Sequence, residues 1–174
     1  IGIDTIIHCY SSMIEGLPER YIKGDHWPTE TIHNTGRLGQ KNGLGYYRYE
    51  LNEKGKPAKL VDPDTVALLE SIAGPAHQIA AEEIVDRLLI SMAMEMVRCL
   101  EEGIVSSPAE ADMALIYGVG FPAFRGGICR WMDEEGLQSI VERGDKYAHL
   151  SELYRPTEKL RNMAANGDSF FSSV

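Results

Sequence analysis

The sequence predicts an all-α protein with at most one small β-hairpin, and three observations lead to this fold class. Apolar residues recur every three or four positions over most of the 174 residues, which is the spacing of one helix face. Proline, glycine and capping residues stand where these periodic runs begin and end. A strand-like pattern occurs only at Tyr46–Tyr49, and this segment is too short to build a sheet alone.

Two helices are predicted in the first half of the chain. The first runs from Asp4, the expected N-cap, to Leu17, because the apolar residues between them fall at helical spacing. The second begins at Pro63, with Asp62 as its cap, and ends near Gly74. The strand-like segment lies between them and is followed by turn-forming residues, as in a hairpin.

The longest periodic run, Ala81 to Glu102, is predicted to be the central helix of a domain. Its polar residues form one narrow stripe at steps of three or four, and almost every other position is apolar. A helix of this kind is buried on most sides. Gly103 is expected to end it.

Four shorter helices are predicted after the central one. Ser107–Glu110 has the pattern of a capping box with proline at the first helical position, and the helix that it opens stops at Gly118. The other three lie near residues 128–134, 137–147 and 157–165. The acidic residues that end the first of these three are expected to be solvated.

Two segments of the chain repeat. Pro28–Asn34 resembles Pro156–Asn162, and Asn42–Tyr47 resembles Asn166–Phe171. The spacing between the paired segments changes by only a few residues. Such a small change fits two copies of one unit that differ in a loop.

The repeat predicts two tandem domains, residues 1–78 and 79–174. The second contains two helices ahead of Gly136 for which the first has no room, so we expect the first domain to be the truncated remainder of a longer one. Its first helix would then have an uncovered apolar face. Because faces of that size usually find a partner, self-association is expected. The residues of that face are Ile6, Tyr10, Met13 and Leu17.

Composition and charge exclude several classes of function. With 17 basic and 26 acidic residues the net charge is -9, which disfavours binding to a nucleic acid. No apolar run has the length of a membrane span and no basic leader is seen, so a cytoplasmic protein without a signal peptide is expected.

Cys9, Cys99 and Cys129 are expected to be reduced and partly buried. The scattered histidines show no metal-ligand spacing, so no metal site is expected.

A glycine-rich segment, Gly36–Tyr47, is the strongest candidate for chemistry in the residues themselves. Its glycines, with Arg37 and Lys41, could cradle a phosphate. It lacks the Gly-Lys-Ser/Thr end of a P-loop and the strand and glycine spacing of a dinucleotide site. The residues alone therefore leave open a phosphate- or nucleotide-binding helical module built on Gly36–Gly45, and a purely structural dimerisation module.

Three segments carry a resemblance to a known family. Gly2–Thr5 looks like the segment that closes the first half of a dehydrogenase helical domain. Gly36–Tyr47 resembles the signature Gly-Arg-x-Gly-x-Lys-x-Gly-x-Gly-aromatic-Tyr of the same family. Arg98–Gly127 is similar to the extra C-terminal copy in multifunctional β-oxidation proteins. The chain thus resembles the tandem C-terminal domains of L-3-hydroxyacyl-CoA dehydrogenases, which are of the 6-phosphogluconate dehydrogenase C-terminal type, in the α subunits of bacterial fatty-acid oxidation complexes.

The resemblance implies a reaction and its cofactor. The intact protein would oxidise L-3-hydroxyacyl-CoA to 3-ketoacyl-CoA with NAD, would also carry enoyl-CoA hydratase activity, and would assemble with a thiolase subunit. In the family, a His–Glu pair takes the hydroxyl proton, and this pair and the NAD site belong to an upstream domain. We therefore expect no catalytic, cofactor-binding or metal-binding residue in this chain, and expect the isolated chain to be inactive.

The resemblance also singles out two positions in the second domain. Tyr117, the aromatic residue before Gly-x-Gly-Phe-Pro, is implied to contact the acyl-CoA substrate. Asp86 stands where the family has an asparagine on the first long helix. Because aspartate lacks the amide donor, the second copy is expected to be degenerate.

Overall fold

A computed structural model describes residues 2–24, 27–73 and 78–171. These residues form eight α-helices and one antiparallel hairpin, so the predicted all-α class is confirmed. The chain divides into two compact units, residues 1–78 and 79–174.

The first unit holds three helices and the hairpin. In chain order the elements are α1 (Ile3–Gly16), α2 (Pro28–Asn34), β1 (Arg48–Leu51), β2 (Pro57–Leu60) and α3 (Pro63–Ala73). Helix α2 packs against both α1 and α3 and contributes the fully buried Ile32. The strands pair in register from Arg48 opposite Leu60 to Leu51 opposite Pro57.

The structure corrects some details predicted for the first unit. Asp4 is not the N-cap of α1, because the helix already begins at Ile3 and the carboxylate of Asp4 binds the ammonium of Lys41 at 2.5 Å. The first strand begins later than predicted, at Arg48, which is the first residue with a partner in β2. Helix α2 was not predicted, because seven residues are too few to show a period. The predicted end at Gly74 lies outside the described residues.

The second unit contains five helices around one core. They are α4 (Ala81–Glu101), α5 (Pro108–Val119), α6 (Ile128–Glu135), α7 (Leu137–Tyr147) and α8 (Glu158–Asn166). All five predicted helices are confirmed, with ends within two residues of those expected. The largest side chains of the core come from four of them: Ile90, Met94, Ile128, Trp131, Met132, Ile140 and Leu160.

The buried residues of helix α4 all lie between Ile90 and Val97, so the prediction of a helix covered on most sides was wrong for the turns before Ile90. Met94 and Val97 are buried, whereas Val85 and Leu88 are exposed. In the first two turns, the described residues of the second unit bind Asp86 but leave Val85 and Leu88 uncovered. A narrow polar stripe shows that most positions of a helix are apolar. It does not show which of these apolar residues contact another element.

The capping box at α5 forms only in part. The hydroxyl of Ser107 accepts a hydrogen bond from the backbone N–H of Glu110 at 3.2 Å, as predicted. The carboxylate of Glu110 instead accepts from the hydroxyl of Ser106 at 2.6 Å and from its N–H at 3.1 Å. These bonds hold the pKa of Glu110 below its usual value.

The search for a metal centre covers the described cysteines, histidines and acidic residues. No group of three potential ligands occurs among the described residues, and His26 and His77 lie outside them. None of the three cysteines forms a disulfide. Cys129 is buried and Cys99 is half-buried, but Cys9 is exposed, contrary to expectation. In the ranges that the structure describes, none of the helices has the length and apolar content that a membrane span requires.

Candidate functional site

Tyr117 lies near the C-terminal end of α5 and is 80% exposed. The helix ends two residues later, and Gly120 turns the chain with a left-handed backbone (φ 76°). An aromatic residue at a helix end usually packs against its own core, and Tyr117 does not. Its ring and hydroxyl therefore offer an apolar face and a hydrogen-bonding group to a ligand or a neighbouring domain.

An apolar cavity of about 290 Å³ lies between the first half of α4 and the loop that follows α5. Its floor includes the buried Trp131, and Phe124, 85% exposed, stands at its rim beside Arg125. The lining residues are Val85, Leu88, Leu89, Phe121, Pro122, Phe124, Arg125 and Trp131. Tyr117 is not one of them, so the structure does not bring the predicted substrate contact into this cavity.

Asp86 is held in an ion pair between α4 and α7. Its carboxylate lies 2.5 Å from the guanidinium of Arg143, which also donates to Glu135 at 3.1 Å. The same guanidinium lies 5.1 Å from the centre of the Trp131 ring. The position that the family resemblance assigned to an asparagine thus carries a carboxylate that shares the guanidinium of Arg143 with Glu135.

Asp133, expected to be solvated, binds the C-terminal segment of the second unit. Its carboxylate accepts hydrogen bonds from the backbone N–H groups of Phe170 and Phe171 at 2.8 and 2.9 Å. Arg130, one turn earlier on α6, lies 4.1 Å from the centre of the Phe171 ring. Sequence reasoning missed this contact because the partners are 37 and 38 residues apart.

Asp112 is a buried cap that joins α5 to α6. Its carboxylate accepts from the backbone N–H of Cys129 at 2.7 Å and of Arg130 at 3.2 Å, at the first turn of α6. Burial raises the pKa of Asp112 and also that of the Cys129 thiol. The cap thereby fixes the C-terminal end of the loop between α5 and α6, whose residues line the apolar cavity. An aspartate within an apolar helix, followed by Gly126-Gly127, was the signal that could have revealed it.

The glycine-rich segment of the first unit is built as a turn. Both of its candidate phosphate ligands are bound to carboxylates, Arg37 to Asp62 in a largely buried pair and Lys41 to Asp4. The Arg37 guanidinium holds the pKa of Asp62 below its usual value. The side chain of Asn42 closes the loop by donating to the carbonyl of Gly36 at 2.8 Å.

A groove of about 730 Å³ runs beside this turn. It is lined by Gly2, Gln40, Lys41, Tyr49 and Lys59. Of its two lysines, Lys41 is paired with Asp4, and Lys59 lies 5.7 Å from the centre of the Tyr47 ring. The charge of Lys41 is thus offset by a carboxylate, whereas the contact with a ring leaves the charge of Lys59 in place.

The residues described do not fit a dinucleotide cofactor. Their only sheet is the two-stranded antiparallel hairpin, whereas a dinucleotide site needs a parallel β-α-β unit with a glycine-rich turn.

Comparison with known proteins assigns a family to most of the second unit. Residues 84–169 match the family model described as 3-hydroxyacyl-CoA dehydrogenase, C-terminal domain. These residues belong to that family, and the helical fold of the second unit agrees with this assignment.

The relatives in sequence are α subunits of fatty acid oxidation complexes. The chain is 48% identical over all 174 residues to the "Fatty acid oxidation complex subunit alpha" of Pseudomonas syringae pathovar syringae. It is 47% identical over 171 residues, 98% of the chain, to the subunit of the same name from Pseudomonas aeruginosa. In both cases it spans only 24% of the relative, in the C-terminal portion.

Solved structures share the fold. A 3-hydroxybutyryl-CoA dehydrogenase from Escherichia coli matches with a TM-score of 0.66 at 18% identity, over 96% of this chain and 50% of that one. The dehydrogenase part of a multifunctional enzyme from C. elegans matches with a TM-score of 0.61 at 20% identity, over 92% of this chain and 36% of that one.

Proposed function

We propose that this chain is the substrate-side and assembly portion of a multifunctional β-oxidation enzyme of the cytoplasm. The intact enzyme oxidises L-3-hydroxyacyl-CoA to 3-ketoacyl-CoA with NAD, carries enoyl-CoA hydratase activity as well, and pairs with a thiolase subunit. The observation that carries this proposal is 47–48% identity along the whole chain to α subunits of fatty acid oxidation complexes. The base that takes the hydroxyl proton and the NAD site belong to the domain upstream of this chain.

Within that enzyme, the two units have a supporting role. Residues 1–78 are the remainder of a first dehydrogenase C-terminal domain, and residues 79–174 are a second, degenerate copy. The ion pair of Asp86 with Arg143 supports this assignment, because a carboxylate bound to a guanidinium cannot donate a hydrogen bond to a substrate. The second copy then acts by packing, where simpler dehydrogenases use a second subunit.

Self-association of the isolated chain is part of the proposal. In the first unit Ile6 and Met13 of α1 and the following Leu17 are exposed. In the second unit Val85 and Leu88 of α4 are exposed. Uncovered apolar surface on this scale favours association. Light scattering should give a mass that rises with concentration. A constant monomer mass up to high micromolar concentration contradicts this expectation.

Tyr117→Phe in the parent enzyme tests the proposed substrate contact. Loss of a hydrogen bond from the exposed hydroxyl is expected to weaken acyl-CoA binding by roughly 0.5–3 kcal/mol. The Michaelis constant for the acyl-CoA should rise while the melting temperature stays unchanged, because the ring is not part of the core. Tyr47→Phe, which removes an exposed hydroxyl from the other unit, is the matched control. An unchanged Michaelis constant with a lower melting temperature would make Tyr117 a packing residue.

Calorimetric titration of the chain separates this proposal from a phosphate- or nucleotide-binding module at Gly36–Gly45. The pairing of Arg37 and Lys41 with carboxylates favours the structural interpretation of that segment. Neither NAD nor ATP should bind to the isolated chain. ATP binding that is lost in Lys41→Ala would support the nucleotide-binding module and count against the proposal.

A further inference from the structure

The sequence contains two Asn-Gly pairs, Asn42-Gly43 in the first unit and Asn166-Gly167 in the second. In such a pair the backbone nitrogen of the glycine can attack the side-chain amide carbon of the asparagine, because glycine has no Cβ to obstruct the approach. Asparagine counts among the thermolabile residues of proteins. The structure holds the two pairs in different ways, so we expect them to differ in reactivity.

The side chain of Asn42 is bound at both ends of its amide. Its Oδ1 accepts from the backbone N–H of Leu38 at 3.2 Å and from that of Leu44 at 3.4 Å. Its Nδ2 donates to the carbonyl of Gly36 at 2.8 Å. The amide carbon can reach the nitrogen of Gly43 only when these bonds break, and breaking them opens the glycine-rich turn.

The side chain of Asn166 is not held in this way. It is exposed at the last position of α8 and makes no hydrogen bond with another residue that the structure describes. The N–H of Gly167 donates to the carbonyl of Ala164 at 3.2 Å, and a Cβ on Gly167 would meet no atom within 4 Å. Only the last turn of the helix has to open for the reaction, and helix ends fray readily.

We propose that Asn166 is a site of spontaneous deamidation in the folded chain and that Asn42 is protected from the same reaction. In the first step a bond forms between the backbone nitrogen of Gly167 and Cγ of Asn166. The Nδ2 group leaves as ammonia and takes the proton of the glycine nitrogen. Water then opens the cyclic imide at either carbonyl, which gives aspartate or isoaspartate, and nothing is oxidised or reduced.

The modification would weaken the C-terminal contacts of the second unit. Both products place a negative charge at the C-terminus of α8, where the helix dipole disfavours it. Isoaspartate also lengthens the backbone by one atom, directly before the segment that Asp133 binds through the N–H groups of Phe170 and Phe171 at 2.8 and 2.9 Å. These two amides should therefore exchange faster with solvent in the converted chain.

Peptide mapping by mass spectrometry, during incubation of the folded chain in mildly alkaline buffer, tests the inference. Conversion of Asn166 should be at least about tenfold faster than that of Asn42, because the additional hydrogen bonds of Asn42 lower the population of its open state. The same chain in urea is the control. There the two rates should converge, because both pairs have the same reacting atoms and neither is held by the fold.

Asn166→Gln locates the reaction. Asn162 lies four residues before Asn166 and shares a proteolytic peptide with it, so the mass gain of that peptide should disappear in this variant. Fragmentation of the same peptide from the native chain locates the converted residue without any variant.

Three results would overturn the inference. One is a rate at Asn42 that equals or exceeds the rate at Asn166 in the folded chain. Another is an Asn166 that is stable in the folded chain and converts in urea, since α8 would then protect it. The third is conversion at Asn162 in place of Asn166. The inference is independent of the proposed function, because the reaction needs only this chain and water.

Discussion

Gly127→Ala should lower the free energy of unfolding of the second unit by about 3–5 kcal/mol. Gly127 has φ 117° and ψ 178°, a backbone conformation that is almost exclusive to glycine. A Cβ at this position would also overlap the side chain of Asp112, which is buried and bound to the first turn of α6. Neither the backbone nor the carboxylate can move without breaking that cap. Urea unfolding measures the change.

Gly120→Ala is the matched control for Gly127→Ala. Gly120 also has a positive φ, 76°, but a Cβ there meets no atom within 4 Å. Its replacement should cost only the backbone term, about 1–2 kcal/mol. Equal losses in the two variants would show that contact with Asp112 contributes nothing, and would remove the physical reason for the larger effect.

Asp112→Ala should lower the free energy of unfolding by about 2–4 kcal/mol. The substitution leaves the backbone N–H groups of Cys129 and Arg130 without their acceptor in a site where Asp112 is only 4% exposed. Asp112→Asn keeps one acceptor oxygen and should cost about half as much. A loss below about 0.5 kcal/mol in the alanine variant would mean that the cap contributes little to stability.

The asparagine variant also isolates a pH dependence. Burial raises the pKa of Asp112 in the folded protein above the ordinary value of 3.8, so the unfolded chain loses this proton at a lower pH than the folded chain does. The contribution of Asp112 to stability therefore decreases as the pH rises from about 4 through its folded pKa, and is constant above it. The difference in stability between the native chain and Asp112→Asn should change in that window.

Local patterns predicted most of the fold. The five helices of the second unit were predictable because periodic apolar residues and their caps lie within a few positions of one another. Local patterns could not show which helix faces are covered by other parts of the chain. The exposed first half of α4 and the contacts of Asp112 and Asp133 depend on residues at least 17 positions away. Helix α2, with seven residues, was too short for its period to be recognised.

The candidate site was less predictable than the fold. The glycine-rich segment was singled out by composition, but its cations have carboxylate partners at Asp4 and Asp62 that no local pattern joins to it. The exposure of Tyr117 could not be read from its place at a helix end. Asp86 was noticed only by resemblance, and its partner Arg143 lies 57 residues further on.

Formation of NADH from L-3-hydroxyacyl-CoA and NAD is the most direct measurement of the central claim. It should be followed in parallel for the parent protein and for the isolated 174-residue chain. The parent should form NADH with the L substrate and not with the D substrate, and the isolated chain should form none. NADH formed in proportion to the concentration of the isolated chain, or a folded parent that forms none, would contradict the account.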